Sequence, residues 1–388
     1  MKKFTILYFG PLGLQGGIGG AARVKNMLGV LKNLQIDTQL ISYIPEGKFK
    51  VHHQQVGSYL KTTAIYFPKS LLKIFKLFAL IVIAIYGLIR VRRYSIVLAH
   101  SAGIVYGFPA LILAKIFNKP FIIDLTDSRD SDTPGFLYTG LLKKADAVFA
   151  VSQYLMAISK KFGCRRVIHV PGFIDTDTFR YNASARNKIR KELNIPATDI
   201  VIGYAGAFSQ DEGLVGLFKA FEELSKRYSD IKLVLIGGLN IPGLSDRKPL
   251  NEAVSEGRVM FMPPQPYEVV PGYLSALDIA CSPKIECAAK TVADPIRVYE
   301  YMSIGLPVVA STIGETANVI EDGIDGFLFK PGDDADLARV MEYIIQNLAP
   351  LKKLGSKARG KVIRYYSQLA ASGKIRDTLL NLTDESRP

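Results

Sequence analysis

The hydrophobic positions of this chain fall into two alternating patterns along most of its length. Short apolar runs at residues 4–9, 95–99 and 231–237 predict buried strands, because runs of this length bounded by turn residues are typical of parallel sheets. Segments with helical spacing, such as 21–34, lie between such runs. The alternation predicts an α/β protein made of two doubly wound halves, with ligands bound at the carboxyl ends of the strands.

Residues 291–311, TVADPIRVYEYMSIGLPVVAS, contain the signals of one short helix followed by a strand. Asp294 is a favourable N-cap, and Pro295 suits the first helical position, whose amide has no partner within the helix. Gly305 allows a left-handed C-terminal residue, and Pro307 prevents the helix from continuing. We therefore expect about ten helical residues between these signals.

This helix brings together groups that suit a phosphorylated sugar ligand. The free amides near Asp294 form an anion site, and Arg297 one turn later adds positive charge for a phosphate. Glu300 lies three residues beyond Arg297, close to the same face, where a carboxylate can accept hydrogen bonds from sugar hydroxyls. The same spacing is also compatible with a solvent-exposed ion pair between Arg297 and Glu300.

The first predicted strand is followed by a glycine-rich loop and then a helix. Such a loop lets the backbone approach a ligand closely. Gly17, Gly19 and Gly20 do not have the spacing of the dinucleotide fingerprint, and no acid ends the second strand, which argues against nicotinamide binding.

Residues 69–93 contain thirteen consecutive apolar or small residues, 77–89, with basic residues on both sides. A membrane-spanning helix needs about twenty apolar residues, so a transmembrane helix is the weakest alternative. A buried core helix and an interfacial helix with its lysines on anionic lipid both remain open.

Composition places the chain among globular proteins. Its 388 residues, 48% hydrophobic and 22% charged, are enough for two ordinary domains. The three cysteines favour free thiols in a reducing compartment, and the four histidines form no metal-like group with carboxylates, so we expect no metal site. No signal peptide is recognisable at the start, which predicts a cytoplasmic protein.

The net charge of +14 is unevenly distributed. Residues 1–180 hold 24 basic and 9 acidic residues, and residues 181–388 hold 25 and 26, which gives +15 and −1. A one-sided basic surface indicates an anionic partner, either a membrane face or a nucleic acid.

Several segments resemble one family. The sequence YEYMSIGLPVVAS resembles the "EYMAxGxPVVAS" segment of glycosyltransferase family 4, the retaining nucleotide-sugar transferases of the GT-B fold. Residues 143–159 resemble "adxviavSe", 166–179 resemble "kvxvipNGvDtxxF", and 314–345 resemble "ggxpEvIxdGxnGxLvxPgdxxxLaxxi". The resemblance covers nearly the whole chain, and it implies two Rossmann-like domains facing a central cleft.

The resemblance also implies roles for individual residues. In the family, the glutamate that matches Glu300 binds the donor ribose, and the acid that matches Asp127 ends a strand facing the acceptor. The implied catalytic residues are Asp127 and Glu300, and the implied donor-binding residues are Gly19, Gly20, Gly206, Lys290, Asp294, Arg297 and Glu300.

Among the departures from the family pattern, three concern groups that usually contact the donor. Ala207 and Glu212 stand where an arginine and a lysine usually hold the donor diphosphate, and Val292 stands where a glutamate often contacts the donor sugar. A carboxylate at position 212 would repel a diphosphate unless it is turned away. We therefore expect the helix end with Arg297 and Lys290 to bind more of the phosphate charge.

The resemblance predicts an N-terminal acceptor-binding domain at 1–180, a C-terminal nucleotide-sugar-binding domain at 181–365, and a final helix at 366–388 that returns to the first domain. The predicted function is a retaining transfer of a sugar from a nucleotide-sugar donor to a hydroxyl acceptor, lipid-linked or saccharide, at the inner face of the membrane, with no further cofactor. The alternative is a catalytically inactive GT-B protein that binds a nucleotide sugar or a partner enzyme. Nucleic-acid binding has less support, because no aromatic-interleaved basic motif is present.

Overall fold

The structure is a computed structural model that describes residues 4–11, 19–44, 48, 50–56, 58–66, 88, 91–127, 135–244, 248–287 and 294–385. Within these ranges the chain divides into two compact units. The N-terminal unit comprises the described residues up to Phe173 together with Gln368–Glu385, and the C-terminal unit comprises Ile174–Ser367.

The N-terminal unit is one sheet with helices on both faces. Its strands are β1 Thr5–Phe9, β2 Asp37–Ile44, β3 Lys50–Val56, β4 Leu60–Tyr66, β5 Ile96–His100, β6 Phe121–Leu125, β7 Ala147–Ala150 and β8 Val167–His169. Its helices are α1 Gly19–Asn33, α2 Gly107–Ile116, α3 Gly135–Lys144, α4 Gln153–Lys161 and, from the end of the chain, α13 Gln368–Glu385, with a short 3-10 turn at Val91–Arg93.

The strand order in this sheet is β3-β4-β2-β1-β5-β6-β7-β8. All neighbours pair in parallel except β3 and β4, whose antiparallel pair forms one edge. The chain winds in opposite directions from β1, which places a topological switch point between β1 and β5.

The C-terminal unit is a second doubly wound sheet. Its strands are β9 Ile200–Ala205, β10 Ile231–Ile236, β11 Val259–Met262, β12 Ile279–Ser282, β13 Val308–Ser311 and β14 Phe327–Phe329. Its helices are α5 Ala183–Glu192, α6 Leu214–Ser225, α7 Lys248–Ser255, α8 Val270–Ser275, α9 Ile296–Ile304, α10 Thr316–Val319, α11 Asp334–Gln346 and α12 Leu348–Tyr365, with a 3-10 turn at Gln210–Glu212.

Its strand order is β11-β10-β9-β12-β13-β14, all parallel. Counted within the unit, this is the 3-2-1-4-5-6 order of a Rossmann sheet, with its switch point between β9 and β12. The prediction of two doubly wound α/β halves is therefore confirmed.

Burial explains why these segments form strands. All five residues of β6, FIIDL, are buried, as expected for a central parallel strand covered on both faces. Helix starts are fixed by side-chain caps: Ser152, Asn182 and Asp333 each accept a hydrogen bond from an amide three residues later. Helix α13 lies on the N-terminal unit because Ile375 and Leu379 are buried in one cluster with Val24 and Met27 of α1.

The apolar segment 69–93 lies outside the described residues, apart from Leu88 and the turn Val91–Arg93. Its interpretation therefore stays a prediction. In the described parts of the chain, no helix is long and apolar enough to cross a membrane.

Candidate functional site

Two loops meet at the switch point of the C-terminal unit. The loop after β9 ends at Gly213, whose φ is +72°, and a Cβ built on this residue would lie 1.7 Å from the carbonyl oxygen of Pro283 in the loop after β12. The amide of Ile285 donates to the carbonyl oxygen of Asp211 across the same junction, at 3.1 Å. Only glycine fits at position 213, so the backbone fixes both loops at the edge where ligands bind in such sheets.

Helix α9 follows β12 and begins at this edge. It ends as predicted: Gly305 is left-handed, with φ +84°, and β13 begins at Val308. Its start is one residue later than predicted, because Pro295 is the N-cap and the helix begins at Ile296.

The prediction that Asp294 caps this helix was wrong. Its Oδ1 atom accepts a hydrogen bond from the Tyr299 hydroxyl at 2.7 Å, and none of the described side chains caps the helix start. The Tyr299 ring is buried and stacked on Tyr366 with centroids 4.4 Å apart, so the hydroxyl needs a nearby acceptor. Asp294 therefore supports the helix through a tyrosine instead of through an amide.

Arg297 is held in a cage formed by the loop after β9. Its Nη1 donates to Glu212 Oε2 at 2.5 Å, and its guanidinium lies over the Tyr204 ring, 4.4 Å from the centroid. Gly206 has φ +154°, and a Cβ there would lie 2.1 Å from Arg297 Nη2. Position 206 must therefore be glycine for the arginine to occupy this place.

This geometry excludes one of the two sequence interpretations of Arg297, the solvent-exposed pair. Its side chain is 14% exposed and paired with Glu212, whose side chain is 4% exposed. A solvent-exposed pair with Glu300 is therefore wrong. Glu212 is turned toward Arg297, so its carboxylate offsets part of the positive charge that Arg297 would offer to a diphosphate.

Glu300 is half-buried one turn further along α9. Burial raises the pKa of its carboxyl to about 7, and a hydrogen bond with Tyr267 and the charge of Arg297 oppose this rise. Near neutral pH the carboxyl is present in both protonation states, so it can donate to or accept from a hydroxyl group.

The N-terminal unit contains a second arginine–carboxylate pair. Asp124 is fully buried in β6, and Arg23 of α1 donates to it from Nη2 at 2.8 Å and from Nε at 3.1 Å. Arg23 also donates from Nη1 to the carbonyl oxygen of Pro171 at 2.8 Å. Burial raises the pKa of the Asp124 carboxyl, but the charge of Arg23 together with hydrogen bonds from His100 and Arg23 outweighs burial, so the pKa is lowered.

Asp127 lies just beyond the end of β6 and is exposed. Its Oδ2 accepts a hydrogen bond from the Thr126 hydroxyl at 3.0 Å, and that hydroxyl is 3.4 Å from His100 Nε2. Ser101, which follows His100, has a left-handed backbone with φ +67°, an uncommon conformation for a non-glycine residue that often accompanies functional sites.

The structure brings some of the predicted site residues together and leaves others apart. Gly206, Asp294, Arg297 and Glu300 lie in the C-terminal unit, at or within one to two turns of the switch point, whereas Asp127 lies in the N-terminal unit. Gly19 and Gly20 are the first two residues of α1, and Lys290 and Val292 lie outside the described residues. Among the described residues, no group of His, Cys, Asp and Glu side chains could hold a metal ion.

Sequence reasoning missed three contributors. Arg23 was not recognised, although a lone acid within the apolar run FIIDL signals that a buried positive partner is needed. The Glu212–Arg297 pair was not predicted, and Tyr267 was not linked to Glu300. The last two contacts join distant segments and leave no local sequence signal.

The sequence of the C-terminal unit is similar to that of known glycosyltransferases. A family model described as "Glycosyl transferases group 1" matches residues 185–361. D-inositol 3-phosphate glycosyltransferase of Nocardia farcinica is 26% identical over 188 residues, which are 47% of this chain and 41% of that protein. Lipopolysaccharide 1,2-N-acetylglucosaminetransferase of Salmonella typhimurium is 26% identical over 248 residues, 61% of this chain and 63% of that protein. These matches span less than two thirds of either relative.

Solved structures match over nearly the full length. Sucrose-phosphate synthase of Thermosynechococcus elongatus has a TM-score of 0.79 at 18% identity, covering 99% of this chain and 100% of that one. Anabaena HepE in complex with UDP has a TM-score of 0.73 at 18% identity, covering 98% and 100%. The chain therefore has the GT-B fold, and its residues 185–361 are similar to the glycosyl transferases group 1 family.

Proposed function

We propose that the protein is a glycosyltransferase that moves a sugar from a nucleotide-sugar donor to a hydroxyl acceptor with retention of configuration. One observation carries this proposal. Within the segment that matches the glycosyl transferases group 1 model, Arg297 and Glu300 lie on the helix that begins at the Rossmann switch point, where a phosphate and a ribose can be bound side by side.

In the proposed donor site, positive groups bind the diphosphate and a carboxyl group binds the ribose. The amino end of α9 and the guanidinium of Arg297 attract the diphosphate. Glu300 hydrogen-bonds a ribose hydroxyl, and its pKa of about 7 allows it to act as donor or acceptor. The family resemblance adds Gly19, Gly20, Gly206 and Lys290 to the proposed donor-binding residues.

In the proposed reaction the bond between the anomeric carbon and the phosphate oxygen breaks, and a bond to the acceptor oxygen forms on the same face. The acceptor proton moves to the leaving diphosphate, so neither a protein nucleophile nor a cofactor is needed. The protein contributes by positioning both substrates and by stabilising the developing phosphate charge. Asp127 interacts with the acceptor or the transferred sugar.

The proposed acceptor is lipid-linked or part of a polysaccharide at the inner face of the membrane. The charge of +15 in residues 1–180 supports binding to anionic lipid. Helices α2 and α3 add exposed apolar side chains, with Ile116 61% and Phe136 80% exposed, and the last turn of α3 carries the basic residues Lys143 and Lys144. The name of the Salmonella relative, a lipopolysaccharide transferase, agrees with this acceptor class.

Calorimetric titration with UDP, GDP and ADP and with UDP-glucose, GDP-mannose and ADP-glucose tests the donor site. We expect one nucleotide to bind, and Glu300→Ala to weaken its binding by about tenfold, the loss of one charged hydrogen bond. Glu256→Ala is the matched control, because Glu256 also pairs with an arginine, Arg258, but at the amino end of β11, the opposite edge of the sheet.

A second candidate is a catalytically inactive protein that binds a nucleotide sugar. The observation in its favour is Glu212, whose carboxylate reduces the positive charge available to a diphosphate. Release of nucleoside diphosphate that depends on added acceptor lipid supports the transferase, and NMR of the product reports whether configuration is retained. Tight binding of the sugar nucleotide without any turnover supports the inactive protein.

A further inference from the structure

Glu212 is a buried carboxylate at the switch point of the C-terminal unit. It is 3% exposed and ends the 3-10 turn Gln210–Glu212, in which its amide donates to the Ser209 carbonyl oxygen at 3.1 Å. The next residue, Gly213, is locked against Pro283 by backbone contact alone. The main chain therefore fixes the Cα of Glu212 beside the loop after β12.

Its partner Arg297 is equally confined. The guanidinium lies between the Tyr204 ring and the backbone of Gly206, where even a methyl group would overlap with Nη2. The 2.5 Å contact between Arg297 Nη1 and Glu212 Oε2 thus joins two groups that are each held by their own surroundings. A ligand at the start of α9 meets this ion pair and not a free arginine.

The pair reduces the electrostatic attraction for an anion, and the reduction depends on the charge of that anion. Coulomb energy scales with the ligand charge. A free nucleoside diphosphate carries about one more negative charge at neutral pH than a sugar nucleotide, because its terminal phosphate has a second pKa of about 6. Glu212 therefore opposes binding of the leaving nucleoside diphosphate more strongly than binding of the donor.

We propose that Glu212 is a specificity-determining residue of the donor site. Through its ion pair with Arg297 it weakens binding of free nucleoside diphosphates relative to sugar nucleotides, and so favours product release. This inference rests on the proposed function, since it takes a nucleotide sugar as the donor. It also gives a physical role to a carboxylate at a phosphate-binding loop.

The test is a charge series at this pair, measured by calorimetry with UDP, GDP and ADP and with UDP-glucose, GDP-mannose and ADP-glucose. For the nucleotide that binds, Glu212→Gln is expected to strengthen diphosphate binding about tenfold and sugar-nucleotide binding about fivefold, in proportion to their charges. The affinity ratio of diphosphate to sugar nucleotide then rises about twofold. Product inhibition by the diphosphate strengthens in parallel.

Two further variants complete the series. Arg297→Gln removes the positive partner and keeps the Glu212 carboxylate, so it is expected to lower the affinity ratio of diphosphate to sugar nucleotide. Glu212→Gln combined with Arg297→Gln restores a neutral pair and is expected to restore the wild-type ratio. The double variant contains no unpaired buried charge, so it stays folded even where a single variant does not. Glu256→Gln, which removes the acid of the Glu256–Arg258 pair, is the control and leaves the ratio unchanged.

The outcomes are distinct. The inference is supported if the affinity ratio is highest in Glu212→Gln, intermediate in wild type and the double variant, and lowest in Arg297→Gln. A merely structural defect would instead weaken the binding of both ligands together. Sugar-nucleotide binding and turnover with the same ratio in every folded variant overturn the inference and leave the proposed function standing. Absence of nucleotide binding in wild type and in all variants overturns both.

Discussion

Each of the two units contains a buried arginine–carboxylate pair, and the two pairs differ in how exposed the arginine side chain is. Arg23 and Arg297 each bind one buried acid, and each lies 4.4 Å from the centroid of an aromatic ring, Phe173 and Tyr204 respectively. The side chains of Arg23 and Asp124 are 3% and 0% exposed, and the Arg297 side chain is 14% exposed.

The difference lies in how the donors are used. Arg23 donates from Nε, Nη1 and Nη2 to Asp124 and to the carbonyl oxygens of Pro171 and Val170, so its hydrogen-bonding capacity is spent inside the fold. Arg297 is directed to Glu212 through Nη1 and is partly open to solvent at the helix start. We therefore expect the first pair to hold the N-terminal unit together, and we propose that the second pair meets a ligand.

The largest expected effect is on the structural pair. Arg23→Met leaves the Asp124 carboxylate buried without its partner and is expected to lower the free energy of unfolding by about 3–5 kcal/mol. Urea unfolding followed by circular dichroism measures this change. The double variant Arg23→Met with Asp124→Leu should recover most of the loss, because no unpaired charge remains. A single-variant loss below about 1 kcal/mol would show that the pair is not structural.

The next effect concerns the cage around Arg297. Gly206→Ala places a methyl group against the guanidinium in a strained backbone conformation, and we expect a loss of about 2–3 kcal/mol in unfolding free energy. Nucleotide binding should weaken by at least about tenfold, since the arginine is displaced. Gly140→Ala in α3, where an added Cβ meets nothing within 4 Å, is the control and should be neutral or slightly stabilising. Equal nucleotide affinity in Gly206→Ala and wild type would contradict the cage.

A smaller effect is expected from Glu300, and it depends on pH. Its folded-state pKa of about 7 lies above the usual value of a glutamate, so between these values the folded protein binds more protons than the unfolded chain. Stability contributed by this group is therefore present at low pH and is lost as the pH rises toward 7. The loss is about 1–2 kcal/mol after allowance for partial exposure.

Glu300→Gln cannot ionise and so tests this directly. Relative to wild type, the variant should gain about 1–2 kcal/mol of unfolding free energy between pH 5 and pH 8. Urea unfolding at both pH values gives the free energies of unfolding of the two proteins. Nucleotide titration of the same samples measures how much the substitution weakens nucleotide binding. Parallel stability curves for the two proteins would mean that the carboxyl titrates normally.

The sequence predicted the fold well because its signals are local. Apolar runs and helical spacing located both sheets, and Gly305 with Pro307 located the end of α9. The predicted start of that helix was one residue too early. The capping rule assigns the Asp294 carboxylate to a backbone amide, but the carboxylate accepts a hydrogen bond from the Tyr299 hydroxyl instead.

The site was only partly predictable. Arg297 and Glu300 could be named from one motif, but the partner of Arg297 is Glu212, 85 positions earlier in the chain. Such pairing depends on where two loops of the sheet end, and no spacing rule encodes it. The same holds for Arg23 and Asp124, which are 101 positions apart.

The smallest effect on stability is expected at Asp127, only three residues beyond Asp124 but exposed at the strand end. Asp127→Asn keeps an oxygen that accepts from the Thr126 hydroxyl, so the free energy of unfolding should change by less than about 0.5 kcal/mol. If Asp127 contacts the acceptor or the transferred sugar, kcat should fall about 10–100-fold while nucleotide affinity stays within about twofold.

Asp377→Asn, an exposed acid of α13 in the same unit, is the control for charge alone. Wild-type turnover in Asp127→Asn would remove this residue from the proposed site. A loss of turnover together with a loss of stability would instead place Asp127 with the structural pair formed by Arg23 and Asp124. Only a loss of turnover at unchanged stability would assign Asp127 to the reaction and leave Asp124 with a structural role.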